Sequence, residues 1–482
     1  MDDVTTPGAA QLTRREVLAG AAKVAAATAG VAAGVGGLGT VARAAHLEAR
    51  DLAAPVNLTW VVEFTDAADQ QAVTQYLIKP YQRINPNVTI TIQAPAASSN
   101  IDRLLQTQFA AGAGPDIFDE QGPSFMPPFI QNGDAADLEP YAAKYGWRKK
   151  LSSFALKSSL YQNKLYYLPT EFETLLPTEF ETLLLWYNKS LMQKHGWKVP
   201  TNFSEMMAVC KEIKAAGLVP FAFGVNGYLG GWDWWYSYFL NAYLGTRKLY
   251  KVLTGEVPWT DPDVAMAFTM FKQMWDAGYI MNKQTSAVNF TESWAIWGQQ
   301  KAVFRMEGTW GFSPGVVYAN DKGFQWDVAP LPVWKPGIDF APPVGIGEVN
   351  GINPRSKNVA TAADFYDFAF FRNRDQILKW LPKLSSIFLP PLDWQPADFG
   401  SSFDPRLGKI LIATSKAMAT SSAGYLSWTA WPAKTEAYMW GNIEGVLYGQ
   451  RTVADYLKSV QSVFAGEKAA GALPQVPKPA GM

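Results

Sequence analysis

Apolar positions along the chain follow two periods. Asn57–Val62 (NLTWVV) is a short apolar run, after which Val73, Leu77, Tyr81 and Ile84 recur at helical spacing. Asn85-Pro86-Asn87 stops that helix, and Val88–Ile92 alternates as a strand. Ser99 with Asp102 makes a capping pair ahead of a helical face of Ile101, Leu104, Leu105 and Phe109. Gly112–Phe118 (GAGPDIF) is a turn entering a buried strand. Strand, helix, strand, helix, strand predicts an α/β chain built on an open, mostly parallel sheet flanked by helices. Ligands on such sheets sit beyond the carboxyl ends of the strands. That rule singles out Glu63 after the first strand, and Asp119 and Glu120 after the third.

Further along, Asn202 and Glu205 cap a helix whose apolar stripe is Met206, Val209, Cys210 and Ile213, ended by Gly217. Leu218–Phe223 reads as a buried strand. Gly230–Tyr236 (GGWDWWY) crowds four aromatic residues into five positions, more than one helical face can hide. The glycines ahead of it let the backbone open, so Trp232 or Trp234 is expected at a ligand cleft. Between these halves the octapeptide LPTEFETL is written twice without a gap, at 168–175 and 176–183. An insertion of eight residues keeps the period-two facing of a strand, so neither copy forces an inside-out flip. The tail 469–482, rich in Pro, Gly and Ala, is expected to be disordered.

Composition narrows the partners. With 42 basic and 42 acidic side chains, the chain offers no net charge to nucleic acid or an anionic membrane. A neutral ligand suits it better. The single Cys210 excludes an intrachain disulfide, and two His residues exclude a His-rich metal site; no cofactor is expected. The 19 Trp residues need an explanation, because indoles are favoured where flat apolar surface is useful. At the N-terminus, Arg14-Arg15, a weakly apolar run to Val41 and Ala42-Arg43-Ala44 make a twin-arginine (Tat-type) export signal over residues 1–44. No Cys stands near the cleavage site, so a lipoprotein anchor is not expected; the mature chain is placed outside the cytoplasm. The run Gly34–Gly39 lies in that signal and has no nucleotide-binding meaning.

The segment 161–188 (YQNKLYYLPTEFETLLPTEFETLLLWYN), read with one octapeptide removed, resembles the hinge-crossing segment of extracellular solute-binding proteins that serve ABC importers. The likeness is to the sugar-binding family that includes the maltose-binding protein. Asn163, Lys164, Tyr166, Pro169 or Pro177, Tyr187, Asn188 and Lys189 carry it, together with the Gly-x-Gly-Pro-Asp-Ile turn, Asn132-Gly133, Asp137-Leu138, Tyr141, and Trp297–Trp310 (WGQQKAVFRMEGTW). The resemblance implies a two-lobed, type II-like periplasmic-binding-protein fold. It divides the chain into a first lobe (45–164 and 300–347), a crossing (165–185), a second lobe (186–299 and 353–465), and a second crossing (348–352). The doubled octapeptide then falls at the hinge, where a bulge would shift the balance of open and closed forms or obstruct the cleft. The resemblance also implies a monomeric binder that delivers a mono- or oligosaccharide to permease subunits.

A pyranose has an apolar C–H face and a rim of hydroxyls, so flat rings and carboxylates suit it. Candidates for the stacking role are Trp232, Trp234, Trp310 and Trp431; for the polar role, Glu63, Asp119, Glu120, Glu181 and Glu348. Glu181 stands four residues after Pro177, where the family often places a contacting carboxylate; Glu173 competes with it through the duplication. Three other classes stay open: a glycoside hydrolase using Glu171/Glu173 or Glu179/Glu181, a binder of iron through tyrosine and carboxylate, and a binder of a polyamine or phosphate ester.

Overall fold

A computed structural model describes residues 54–63, 67–95, 101–169, 181–281, 285–312, 324–373, 405–419 and 423–482. The segment expected to be an export signal (1–44), Ser99, Glu171, Glu173, Glu179 and the body of the doubled octapeptide lie outside them. Ala54–Pro55 and Asn85–Asn87 belong to a small unit of their own, in which Asn87 Nδ2 donates to Ala54 O at 3.1 Å. The remaining described residues, within Val56–Ile84 and Val88–Met482, form the other unit.

The strands are β1 (Val56–Val61), β2 (Val88–Gln93), β3 (Ile117–Glu120), β4 (Leu160–Tyr161), β5 (Lys164–Leu165), β6 (Tyr167–Pro169), β7 (Glu181–Asn188), β8 (Val219–Phe221), β9 (Ala302–Gly308), β10 (Trp326–Ala329), β11 (Pro343–Gly345), β12 (Val349–Ile352) and β13 (Gly424–Tyr425). One sheet has the order β2-β1-β3-β12-β6; the other runs β13-β11-β7-β9-β8, with β10 also paired to β7. A short hairpin, β4-β5, turns through Gln162 and Asn163, both at positive φ (48° and 64°).

Both sheets are mixed, which corrects the expectation of mostly parallel ones: parallel pairings are half of those in the first sheet and fewer than half in the second. β1 is parallel to β2 and β3, as the strand–helix–strand pattern requires. β12 enters at the end where β3 finishes, so it runs antiparallel to β3 and also to β6. β7 is antiparallel to β9, β10 and β11, while β8-β9 and β11-β13 are parallel.

Each sheet is covered on both faces, and period-two alternation divides its residues between cores. On β7, Leu183 and Leu185 enter one core while Leu184 and Trp186 enter another. On β1, Leu58 and Trp60 face a core with Tyr81 and Phe365, while Val61 joins Phe118, Phe109 and Phe129 on the other side. The helix Phe203–Ala215 is capped by Asn202, whose side chain accepts from Glu205 N, and buries the expected Met206, Val209, Cys210 and Ile213.

Two expectations are corrected. Residues 302–308 pair with β7 and β8 in the second sheet, not the first, and the helix Val359–Asp367 packs Ala362, Phe365 and Tyr366 against Trp60 in the first core, not the second. The chain stays with the second sheet until Gly345, and an apolar strand pattern alone does not say which sheet it joins. The tail is also not disordered: Leu473 and Val476 pack on the second sheet's core, Tyr425 Oη donates to Pro477 O at 2.6 Å, and Tyr161 Oη donates to Gly471 O at 3.2 Å. Two apolar side chains and open backbone carbonyls dock a Pro-rich segment without regular structure that composition marks as disordered.

Candidate functional site

The ends of the two sheets are brought together by the shortness of one connection. In the first sheet Val349 lies opposite both Glu120 and Pro169, so the ends of β3 and β6 and the start of β12 share one edge. In the second sheet Glu181 lies opposite Gly345 and Leu183 opposite Gly308, which gathers the start of β7 and the ends of β9 and β11. The chain passes from Gly345 to Val349 in four residue steps, a reach of about 14 Å at most. The other passage, from Pro169 to Glu181, joins the same two edges. Leu168 and Pro169 of the first octapeptide copy lie in β6, and Glu181, Thr182 and Leu183 of the second open β7, so the duplication straddles this passage.

Several contacts close over this junction. Gly122 (φ +151°) lies so close to Trp428 that an added Cβ would sit 2.2 Å from its carbonyl oxygen. Ser124 Oγ donates to Glu436 Oε2 at 2.9 Å, and Phe125 stacks on Trp440 with centroids 5.9 Å apart. Ile346 N donates to Thr429 Oγ1 at 2.8 Å.

Acid groups concentrate here. Glu63, Asp119, Glu120, Glu181 and Glu348 are all buried, as are Asp233 and Glu436, which the sequence did not single out. Asp119 Oδ1 accepts from Trp60 Nε1 at 2.7 Å and Asn350 Nδ2 at 2.5 Å, and Glu63 Oε1 accepts from Gln121 Nε2 at 2.7 Å. Asp233 and Glu436 hydrogen-bond each other and Ser427, and Glu120 accepts from the Gln121 backbone N–H. Burial pushes Asp119 and Glu120 well above the usual carboxylate range, with Asp102 and Glu63 adding to the effect on Glu120. Asp233 is raised by burial and then by the Glu436 charge. Burial pushes Glu436 up to about 8 against the opposing bond from Ser124. So many acid groups gathered in a dry site carry a large desolvation cost, which the polar groups of a bound ligand can offset.

Aromatic rings form the second component. Trp310 lies between Trp234 (centroids 5.2 Å) and Trp428 (5.9 Å), at the end of β9. The structure thus brings Trp234 and Trp310 to the same edge as the acids. It places Trp232 elsewhere: with Phe223, Phe271 and Trp275 it belongs to the second core, because the helix Gly231–Leu244 is buried on nearly every side. Trp431 sits 6.2 Å from Trp259 and is likewise core. Trp428, three positions earlier, is the ring beside Trp310; nothing in the local pattern separates the two.

Sequence reading also missed Ser124, Asp233, Arg305, Glu307 and Glu436. A signal existed for some. Asp233 is the lone acid in GWDWWYSYF, and Arg305 with Glu307 are two charges on one face of an otherwise apolar strand. Ser124 and Glu436 meet across 312 residues and leave no local trace.

Known proteins place this architecture. A solved chitin oligosaccharide binding protein is similar at TM-score 0.71 and 20% identity over 86% of this chain and 99% of its own. An ABC substrate-binding protein from Listeria monocytogenes, in complex with cycloalternan, is similar at TM-score 0.66 and 19% identity over 86% and 99%. The fold is the two-lobed solute-binding fold. The family described as bacterial extracellular solute-binding protein matches residues 65–371, and the chain belongs to it. A probable sugar-binding periplasmic protein of Mesorhizobium japonicum is 30% identical over 27% of this chain and 28% of its own length. A putative binding protein of Brucella abortus is 28% identical over 43% and 47%. The chain thus spans less than half the length of these relatives. No helix among the described residues is long and apolar enough to cross a membrane.

Proposed function

We propose that this protein is the substrate-binding component of an ABC importer, exported by the twin-arginine route, which captures a carbohydrate between the facing ends of its two sheets and delivers it to a membrane permease. It acts as a monomeric binder, not as an enzyme. The observation that carries this reading is the coincidence, at one edge, of the Trp234–Trp310–Trp428 rings with a concentration of buried acid groups. Rings take the C–H face of a pyranose and carboxylates take its hydroxyls. The sugar-binding description of the Mesorhizobium relative, and the ligands named for the two structural neighbours, support the same class. An affinity near micromolar, about −8 kcal/mol, suits a receptor that must also release.

The remaining sequence candidates enter as proposals with it. Glu63, Asp119, Glu120, Glu181 and Glu348 supply the acceptors and Trp234 and Trp310 the stacking surface, joined by Trp428, Asp233 and Glu436. Trp232 and Trp431 support these rings from the core. A second reading is favoured by the excess of buried acid over buried base at this edge: an amine-bearing solute, for which the same carboxylates become counter-ions.

Thermal unfolding in the presence of a mono- and oligosaccharide panel, with spermidine and ferric citrate as competing classes, tests the proposal. A bound ligand at a hundredfold over its Kd adds about 2.7 kcal/mol, a visible shift. A shift with a neutral sugar alone is expected. A shift with spermidine and none with sugars selects the second reading, and release of reducing ends from a polysaccharide would contradict the non-enzymatic one.

A further inference from the structure

Trp310 is held by a bond that several other buried indoles of this half do not make. The indole N–H groups of Trp232, Trp235, Trp428 and Trp431 find no partner among the described residues. That of Trp310 donates to Glu307 Oε2 at 2.8 Å. The other Glu307 oxygen accepts from the Arg305 guanidinium, which lies 4.0 Å over the Trp294 ring and donates to Ser293 Oγ at 2.9 Å. Arg305 and Glu307 are alternate residues of β9 and so face the same side. Both are almost wholly buried.

Gly308 completes the arrangement. Its backbone is ordinary extended (φ −86°, ψ −172°), so no turn demands glycine there. A Cβ at that position would lie 2.0 Å from the Trp310 ring. The absent side chain is the space the ring occupies. An ion pair this deep is commonly replaceable by apolar residues without loss of stability, and Gly308, the last residue of β9, forgoes any side-chain packing at the strand end. Both local costs are accounted for by one ring held by its edge and by one face.

We propose that Glu307 is a positioning residue for ligand binding: with Arg305 and Gly308 it presets the Trp310 ring as a stacking surface before the ligand arrives. The inference rests on the carbohydrate reading, in which Trp310 touches the sugar. A ring already fixed loses no rotamer freedom on binding.

Two double variants separate this role from simple charge burial. Arg305→Met/Glu307→Gln removes both charges and keeps an oxygen acceptor for the Trp310 N–H; Arg305→Met/Glu307→Leu removes both charges and the acceptor. Each is titrated calorimetrically with whichever of maltose, cellobiose, xylobiose and diacetylchitobiose shifts the melting temperature of the wild type. The Trp310 indole N–H resonance, assigned by its loss in Trp310→Phe, is followed in parallel without sugar. The Gln variant is expected to bind within about threefold of wild type with the indole proton downfield and slow to exchange. The Leu variant is expected to bind at least about tenfold more weakly, with that proton shifted upfield. Equal affinities, or an indole signal unchanged between the two variants, overturn the proposal while leaving the carbohydrate reading intact. If the wild type binds none of the four sugars, the carbohydrate reading falls for these ligands, and with it Glu307's role toward them. A downfield proton kept by Gln and lost with Leu is still expected in that case, and its absence refutes the lock itself.

Discussion

Glu436 and the other buried acids make stability depend on pH. The Glu436 carboxyl is pushed up to about 8 by burial from an ordinary value of 4.5, so between those values the folded chain holds a proton that the unfolded chain has released. The contribution to stability is therefore fully present below pH 4.5 and is lost as pH rises toward 8. Asp233, raised by burial, Glu436 and Glu181, acts in the same direction. The urea midpoint is expected to fall between pH 5 and pH 8, and Glu436→Gln is expected to flatten that slope; a midpoint that rises over this range contradicts the assignment. At Gly308, substitution by Ala must displace the Trp310 ring, since the added carbon would meet it at 2.0 Å. Sugar affinity is expected to fall at least about tenfold, measured by calorimetry, with a smaller change in melting temperature. Residues of this scale were legible only where a local rule spoke. Glu63, Asp119 and Glu120 could be singled out because strand ends can be read from periodicity, whereas Glu436 meets Ser124 and Asp233, which no window of sequence contains.

Elements were read more securely than residues. The caps of the helices beginning at Phe203 and Phe290 are formed as Asn-x-x-Glu spacing demands; the second is a full capping box of Asn289 with Glu292. The helix Gly231–Leu244 shows where periodicity fails. Its aromatics do not select one face because nearly every face is covered, so the rings divide by partner: Trp234 lies against Trp310, and Trp232 packs on Phe271 and Trp275 in the second core. Trp235 stacks on Phe271 at an interplanar angle of 4° and is buried. Trp235→Ala is expected to destabilise by about 3–5 kcal/mol, the usual cost of removing a fully packed large aromatic, read from urea unfolding. A loss below about 1 kcal/mol would mean this helix is not the packed centre of the second core.

At the scale of the molecule, two sheets joined at one edge account for the connectivity of the chain. The order of strands within each sheet was not legible. β9 and β12 are both short apolar strands, and only their partners, distant in sequence, decide which sheet receives them. The tail was misread for a related reason, since composition reports what a segment is made of and not what it docks against. Its bonds from Tyr161 and Tyr425 tie the β4-β5 hairpin to the second core. Removing residues 471–482 is expected to lower the melting temperature by a few degrees, through loss of the Leu473 and Val476 contacts; an unchanged value would mean the tail contributes nothing. The most direct test of where this molecule binds its ligand is a co-crystal structure with the saccharide that most raises its melting temperature. The account predicts a sugar ring stacked on Trp310 or Trp428, with hydroxyls donating to Asp119, Glu120, Asp233 or Glu436. Density for the sugar elsewhere, for example in the polar hollow lined by Gln70, Gln71, Thr74 and Lys79, with the junction of the two sheets unfilled, would contradict it.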